Sequence, residues 1–345
     1  MRILALLLLL IAFLTGHSAA AASKEVENFS ADLALRWING FRTKPDIKQV
    51  PALIKALSRN DAIKDPESAG VYLGFLAGVL RSHPHEARDI ASEILPLPYE
   101  HQWLLIKAVA YSDVRGWKDI LRELAPRMPE RHVLIERYLR DELPTLENAR
   151  LEKETDSTWD KVKGYLGYRK PASPPQLTYD ANPELIDTLW GIYFATGDSG
   201  PIIQLIELLP WSKERDNTDK LTIGSMAKFT LASNAARDAA LLALLKRLRP
   251  GQSAQRLAAL NDVIEASENV ETGRLRKEAV AAIDELRLKG PGSRRNVAWW
   301  GQVGEAGISL GCIGAAVAGA TAFGLPCVVG GALSSAGLRY LATPN

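Results

Sequence analysis

Histidine and cysteine are scarce in this chain, with five of the first and two of the second among 345 residues. Two cysteines close at most one bridge, so the fold is not a disulfide-built scaffold. So few histidines leave little material for metal coordination or general base chemistry. A surplus of one charge is missing too, because 42 Lys and Arg face 40 Asp and Glu. Neutralising a phosphate backbone takes a clustered positive excess, so no nucleic-acid partner is expected. Strand-like alternation of Val, Ile and Thr is hard to find. Also lacking are a Gly-rich phosphate loop, a CxxC pair and a nucleophile elbow. No cofactor is expected, and the balance tilts away from an enzyme.

What is present begins at the N-terminus. Met1-Arg2 precedes an apolar block from Ile3 to Leu14, and small residues run from Ala19 to Ala22. A basic start, an apolar core and an Ala-x-Ala site are the parts of a secretory signal peptide. Residues 1–22 therefore read as a leader cleaved after Ala20 or Ala22, which sends the chain to a periplasm or beyond. An uncleaved anchor is the competing reading, but the block falls short of the roughly 20 residues a span needs.

Leu and Ala then recur at helical spacings of three and four, which predicts an all-α chain. Five stretches, starting near Asp32, Glu67, Glu100, Glu184 and Leu221, read as an apolar helix, a polar break and an amphipathic second helix. Ser82-His83-Pro84-His85, Ser112-Asp113 and Thr196-Gly197-Asp198 are such breaks, supplying the Ser, Asp and Gly that helix ends require. The starts lie 35, 33, 84 and 37 residues apart. The stretch from Leu189 to Asp198 resembles a tetratricopeptide first helix and its turn. The spacing as a whole is similar to the tetratricopeptide and HEAT-like families, a resemblance that implies stacked helical hairpins. The expected organisation is repeat-like hairpins over 23–145, an irregular charged and Pro-rich boundary at 146–181, and a second helical layer over 182–289. A linker and Gly/Ala-rich apolar segment fill 290–345.

That last segment holds 33 consecutive uncharged residues, from Ala306 to Leu338. Gly307, Gly311, Ala315, Gly319 and Gly324 place small residues along it, the spacing that lets membrane helices approach closely. The stretch resembles the glycine-zipper segments of bacterial envelope proteins. Upstream, Arg294, Arg295, Trp299 and Trp300 suit a headgroup region. A single span, a helical hairpin and a buried soluble helix pair all fit the composition. In one straight helix Cys312 and Cys327 would lie about 22 Å apart, beyond the roughly 7 Å a disulfide tolerates. A Cys312–Cys327 bridge, which is expected, therefore requires the segment to fold back.

Other constellations carry less. Gly197-Asp198-Ser199-Gly200-Pro201 echoes a serine-protease nucleophile loop, yet here it joins two helices and reads as a turn. His83, His85 and His101 are the one histidine group that invites a metal test, although His85-Glu86-Ala87-Arg88-Asp89 lacks the second histidine of a zinc-protease helix. Trp37, Trp103, Trp117, Trp190 and Tyr193 fall at helix-face spacing and read as core. Arg122, Arg127, Arg131, Arg137 and Arg140 interleave with acids, as an ion-paired solvated face does. The sequence thus leads to an exported helical-repeat interaction scaffold with protein partners unspecified, associated with a membrane through its C-terminal segment. The alternatives are a membrane-active protein that inserts 306–338 into a target bilayer, and a hydrolase with an unrecognised site.

Overall fold

The computed structural model describes residues 31–146, 150–151, 178–179 and 182–268. Twelve α-helices make up the described chain. They are α1 (Ala31–Phe41), α2 (Val50–Arg59), α3 (Gly70–Ser82), α4 (Ala87–Ile94), α5 (Gln102–Ser112), α6 (Trp117–Leu124) and α7 (His132–Leu139). After them come α8 (Pro183–Thr196), α9 (Ser199–Leu208), α10 (Thr218–Ala235), α11 (Ala239–Arg247) and α12 (Ala254–Glu268). The only strands among the described residues are the two-residue pieces β1 (Arg150–Leu151) and β2 (Thr178–Tyr179), paired in parallel.

Local chemistry sets the helix ends. Asn182 accepts a hydrogen bond from the Leu185 amide and Pro183 occupies the first turn, so α8 starts there. Gly197 stops it at φ 74°, a left-handed conformation that suits a residue without a Cβ. Asp113 does the same after α5 at φ 55°, with its own side chain as the tolerated exception. Asn217 and Asp238 cap α10 and α11 by accepting from two backbone amides each. The three polar breaks read from the sequence thus fall between α3 and α4, α5 and α6, and α8 and α9.

The centre of the molecule is the contact between α3 and α8, the most extensive between any two elements. Every residue of α3 from Gly70 to Leu80 is buried, as is α8 from Leu185 to Ala195. A Cβ built on Gly74 would collide with the Thr188 carbonyl, and one on Gly191 with the backbone of Val71 and Phe75. Gly70 faces Glu184 and Asp187, Gly74 faces Thr188, and Gly78 faces Ile192 and Ala195, so the two helices run parallel in a fixed register. Small residues four apart allow backbones to meet this closely, where dispersion and Cα–H···O contacts accumulate. The same spacing that the sequence displays in its C-terminal segment is thus used here inside the helical body.

α5 packs on another side of α3, while α1 and α9 pack against α8. Trp37, Phe41 and Phe75 form an edge-to-face cluster that ties α1 to α3. One hydrophobic cluster runs from Ala34 through to Ala266, so residues on both sides of 146–181 share a core. Trp103, Trp190 and Tyr193 lie buried in it, and Trp37 and Trp117 pack against it half-buried. Of the arginine-rich stretch, Arg122, Arg137 and Arg140 are paired with acids, whereas Arg127 bonds Ser92 and Arg131 the Tyr99 carbonyl. Arg122 pairs with Asp119, Arg140 with Glu136, and Glu123 with Arg88 across to α4. Among the described residues no helix is long and apolar enough to cross a membrane.

Candidate functional site

Three polar constellations interrupt this apolar body, and each joins elements distant in sequence. The first closes around Arg42, just beyond α1. Its guanidinium donates to the Tyr193 hydroxyl at 2.5 Å and to Asp238 Oδ2 at 2.6 Å, and it lies 4.8 Å from the Tyr193 ring centre. The hydroxyl of Tyr193 donates in turn to Asp238 Oδ2 at 3.3 Å. A Cβ on Gly197 would touch the Arg42 side chain, so the glycine that ends α8 also makes room for it. Three helix ends, the C-terminal ends of α1 and α8 and the N-terminal end of α11, are locked together at this point.

The electrostatics follow from that geometry. Burial, reinforced by Asp238 and opposed by Arg42, pushes the Tyr193 phenol up to about 12. Burial pushes the Asp238 carboxyl up as well, but the Leu241 amide and the Arg42 guanidinium outweigh it and hold the carboxyl below its usual range. Arg42 is likewise held above its ordinary value despite partial burial, by Tyr193 and Asp238. The three side chains answer one another, which suits a lock better than a ligand site.

The second constellation holds a serine, a histidine and an aspartate. Ser58 Oγ and His101 Nδ1 are 2.7 Å apart and both residues are buried. His101 Nε2 faces Asp61 Oδ1 at 3.3 Å, although not at hydrogen-bonding geometry. Asp61 reaches this position from a left-handed backbone at φ 53°. In a serine hydrolase the histidine takes the serine proton on Nε2 and the aspartate holds Nδ1. Here the two nitrogens are exchanged, and Ser58 lies 5 % exposed in the last turn of α2, where a substrate has no approach. The contact clamps the end of α2 to the start of α5, alongside Trp103, whose indole N–H donates to the Ile63 carbonyl.

In the third, Lys107 of α5 pairs with Glu184 in the first turn of α8 and sits 5.3 Å from the Tyr111 ring centre. Tyr138 of α7 closes the group, and burial, with Tyr111 adding to it, pushes its phenol well above the ordinary range.

The residues singled out in the sequence disperse. His83 stands at the end of α3 with Nδ1 3.0 Å from the Val79 carbonyl, His85 is exposed in the following turn, and His101 is taken up by Ser58 and Asp61. Among the described residues no three His, Cys, Asp or Glu side chains gather as a metal-holding group. Of Gly197-Asp198-Ser199-Gly200-Pro201, the first two join α8 to α9 as C-cap and N-cap, and the other three form the first turn of α9. The expected signal peptide, Arg294, Arg295, Trp299, Trp300, the small residues from Gly307 to Gly324, and Cys312 with Cys327 lie outside the described residues.

Arg42 and Ser58 carry no local signal and Asp238 shows only as a helix cap, since their cluster partners lie 43 to 196 residues away. The spacing of Gly70, Gly74 and Gly78 was the one mark of the central contact open to sequence reading. In class, then, the described chain is an all-helical body locked by buried and half-buried polar groups. No protein-family profile matches it, and neither curated proteins nor solved structures yield a match.

Proposed function

We propose that the chain is an exported helical scaffold for protein partners, held at a membrane by its apolar C-terminal segment. The observation that carries this reading is the charge-free run from Ala306 to Leu338. It is joined to a packed helical body whose last described helix ends at Glu268. Thirty-three uncharged residues exceed what an ordinary core helix uses and are enough for a bilayer segment. The leader at 1–22 takes the body across a membrane.

In this reading helix pairs such as α3/α4, α5/α6 and α8/α9 act as a repeat-like stack, whose broad surface binds partners. Arg294, Arg295, Trp299 and Trp300 sit at the headgroups, and Gly307, Gly311, Ala315, Gly319 and Gly324 pack one arm of the segment closely. The Cys312–Cys327 disulfide turns the segment back, so that both its ends stay on one side.

The test is to express the precursor in a Gram-negative host with and without residues 291–345, then extract the membranes with alkaline carbonate. The full chain should stay with the membrane and the shortened chain should leave it. Release of both forms sinks the membrane part of the proposal, and the search for partners would then move to soluble proteins.

A further inference from the structure

The turn between α11 and α12 concentrates positive charge. Lys246, Arg247, Arg249 and Arg256 lie within it or beside it, and the nearest acids along the chain are Asp238 and Asp262. Lys246 is engaged by Glu268 at 2.5 Å. The side chains of Arg247, Arg249 and Arg256 meet no carboxylate among the described residues, and the first two are exposed. The turn itself is well defined. Gly251 adopts φ 84°, and the Gln252 side chain donates to the Leu248 carbonyl at 3.0 Å.

Cations at a helix C-terminus are favoured by its dipole, which accounts for Lys246 and Arg247. It does not account for Arg249, which lies beyond the helix. Still less does it account for Arg256, which stands in the first turn of α12, at the end where a cation is disfavoured and where no acid offsets it. The segment packed against α12 nearby, the 3₁₀ turn Leu209–Lys213 and the loop after it, supplies no compensation. It balances Lys213, Arg215 and Lys220 against Glu214, Asp216 and Asp219. Half-buried Leu242, Leu244 and Leu248 flank the arginines.

We propose that this turn is the place where the helical body meets an anionic lipid surface. The proposal rests on the reading of 306–338 as a membrane segment. An apolar anchor keeps the body within reach of headgroups, so that a basic patch too weak to bind alone acts at high effective concentration. Each guanidinium offers a planar fork to lipid phosphates, while the flanking leucines pack against the core and hold the turn in place. At roughly 1 kcal/mol per basic residue near an anionic leaflet, three arginines contribute a partition gain on the order of a hundredfold.

The experiment compares the full mature chain with its Arg247→Gln/Arg249→Gln/Arg256→Gln variant. Partition is measured by flotation with vesicles of phosphatidylcholine alone or mixed with phosphatidylglycerol, and circular dichroism confirms that both chains are folded. The expected result is stronger partition of the wild type to the anionic vesicles, a gain that the variant loses while its binding to neutral vesicles is unchanged. Equal partition of both chains to anionic vesicles would overturn the role of the turn and leave the membrane segment standing. Failure of the wild type to float with either vesicle would overturn the membrane reading, and this proposal with it.

Discussion

Arg42 touches two partners that the chain brings from 151 and 196 residues away. Its substitution by Met removes the donor to both Tyr193 and Asp238 and should cost about 1–2 kcal/mol, a figure reduced by the partial exposure of the pair. A double-mutant cycle with Asp238→Asn, read by urea unfolding, should show coupling of roughly 1 kcal/mol, whereas strict additivity would dissolve the lock. The pH dependence has two limbs. The carboxyl of Asp238 is depressed in the folded state, so its contribution is present above the unfolded value and is lost as pH falls through the folded one. The phenol of Tyr193 is raised to about 12, so its contribution is complete below about 10 and disappears as pH climbs from there. Thermal melts across pH should fall at both extremes, and Tyr193→Phe should make the alkaline limb shallower, leaving the share that buried Tyr138 contributes. Ser58→Ala leaves the His101 ring without a buried partner and should cost about 1–3 kcal/mol. If Ser58 is a clamp, Ser58→Ala should destabilise the protein while an activity-based serine probe fails to label the wild type. Labelling at Ser58 would restore a hydrolase to consideration.

Helix ends were open to sequence reading because their causes are local. Asn182, Pro183 and Gly197 bracket α8 by capping and by backbone conformation, and Ser82 to His85 and Ser112-Asp113 mark their breaks in the same way. The pairing of α3 with α8 was not open to it, because period and capping describe one helix at a time. Nothing in them says that Gly74 meets Thr188. Glycines at 70, 74 and 78 were visible, but in an apolar helix they read as composition until a partner is known. Gly74→Ala tests the contact, since the added methyl meets backbone and cannot be relieved by a rotamer change. A loss of about 3 kcal/mol is expected from chemical unfolding, whereas Gly200→Ala, at an open helical position of α9, should cost nothing or gain up to about 1 kcal/mol. Similar losses at both sites would mean that the close approach of the helices is not what the glycine serves. The polar clusters escaped for the same reason as the helix pair. Tyr193 was read as core, which it is, but its hydroxyl acquires a role only when Arg42 and Asp238 arrive.

At the scale of the whole molecule, export and the apolar C-terminus make one further claim that can be checked. Cys312 and Cys327 in protein taken from its native compartment without reductant should resist alkylation until reduced. Two freely alkylated thiols would remove the bridge and with it the need for the segment to turn back. The parallel contact between α3 and α8 also bears on how the molecule comes into being. Gly74 precedes the residue it packs against by more than a hundred positions, so the contact that organises the core must close a very long loop. Synthesised at about 5–20 residues per second, the chain leaves α3 waiting roughly 6–20 s for that partner. For that interval a helix whose residues from Gly70 to Leu80 are destined for burial has α5 for cover on one side and nothing from α8 on the other. High contact order of this kind slows folding and exposes the nascent N-terminal half to aggregation. The first half of the protein therefore keeps the α8-facing side of α3 uncovered until α8 has arrived.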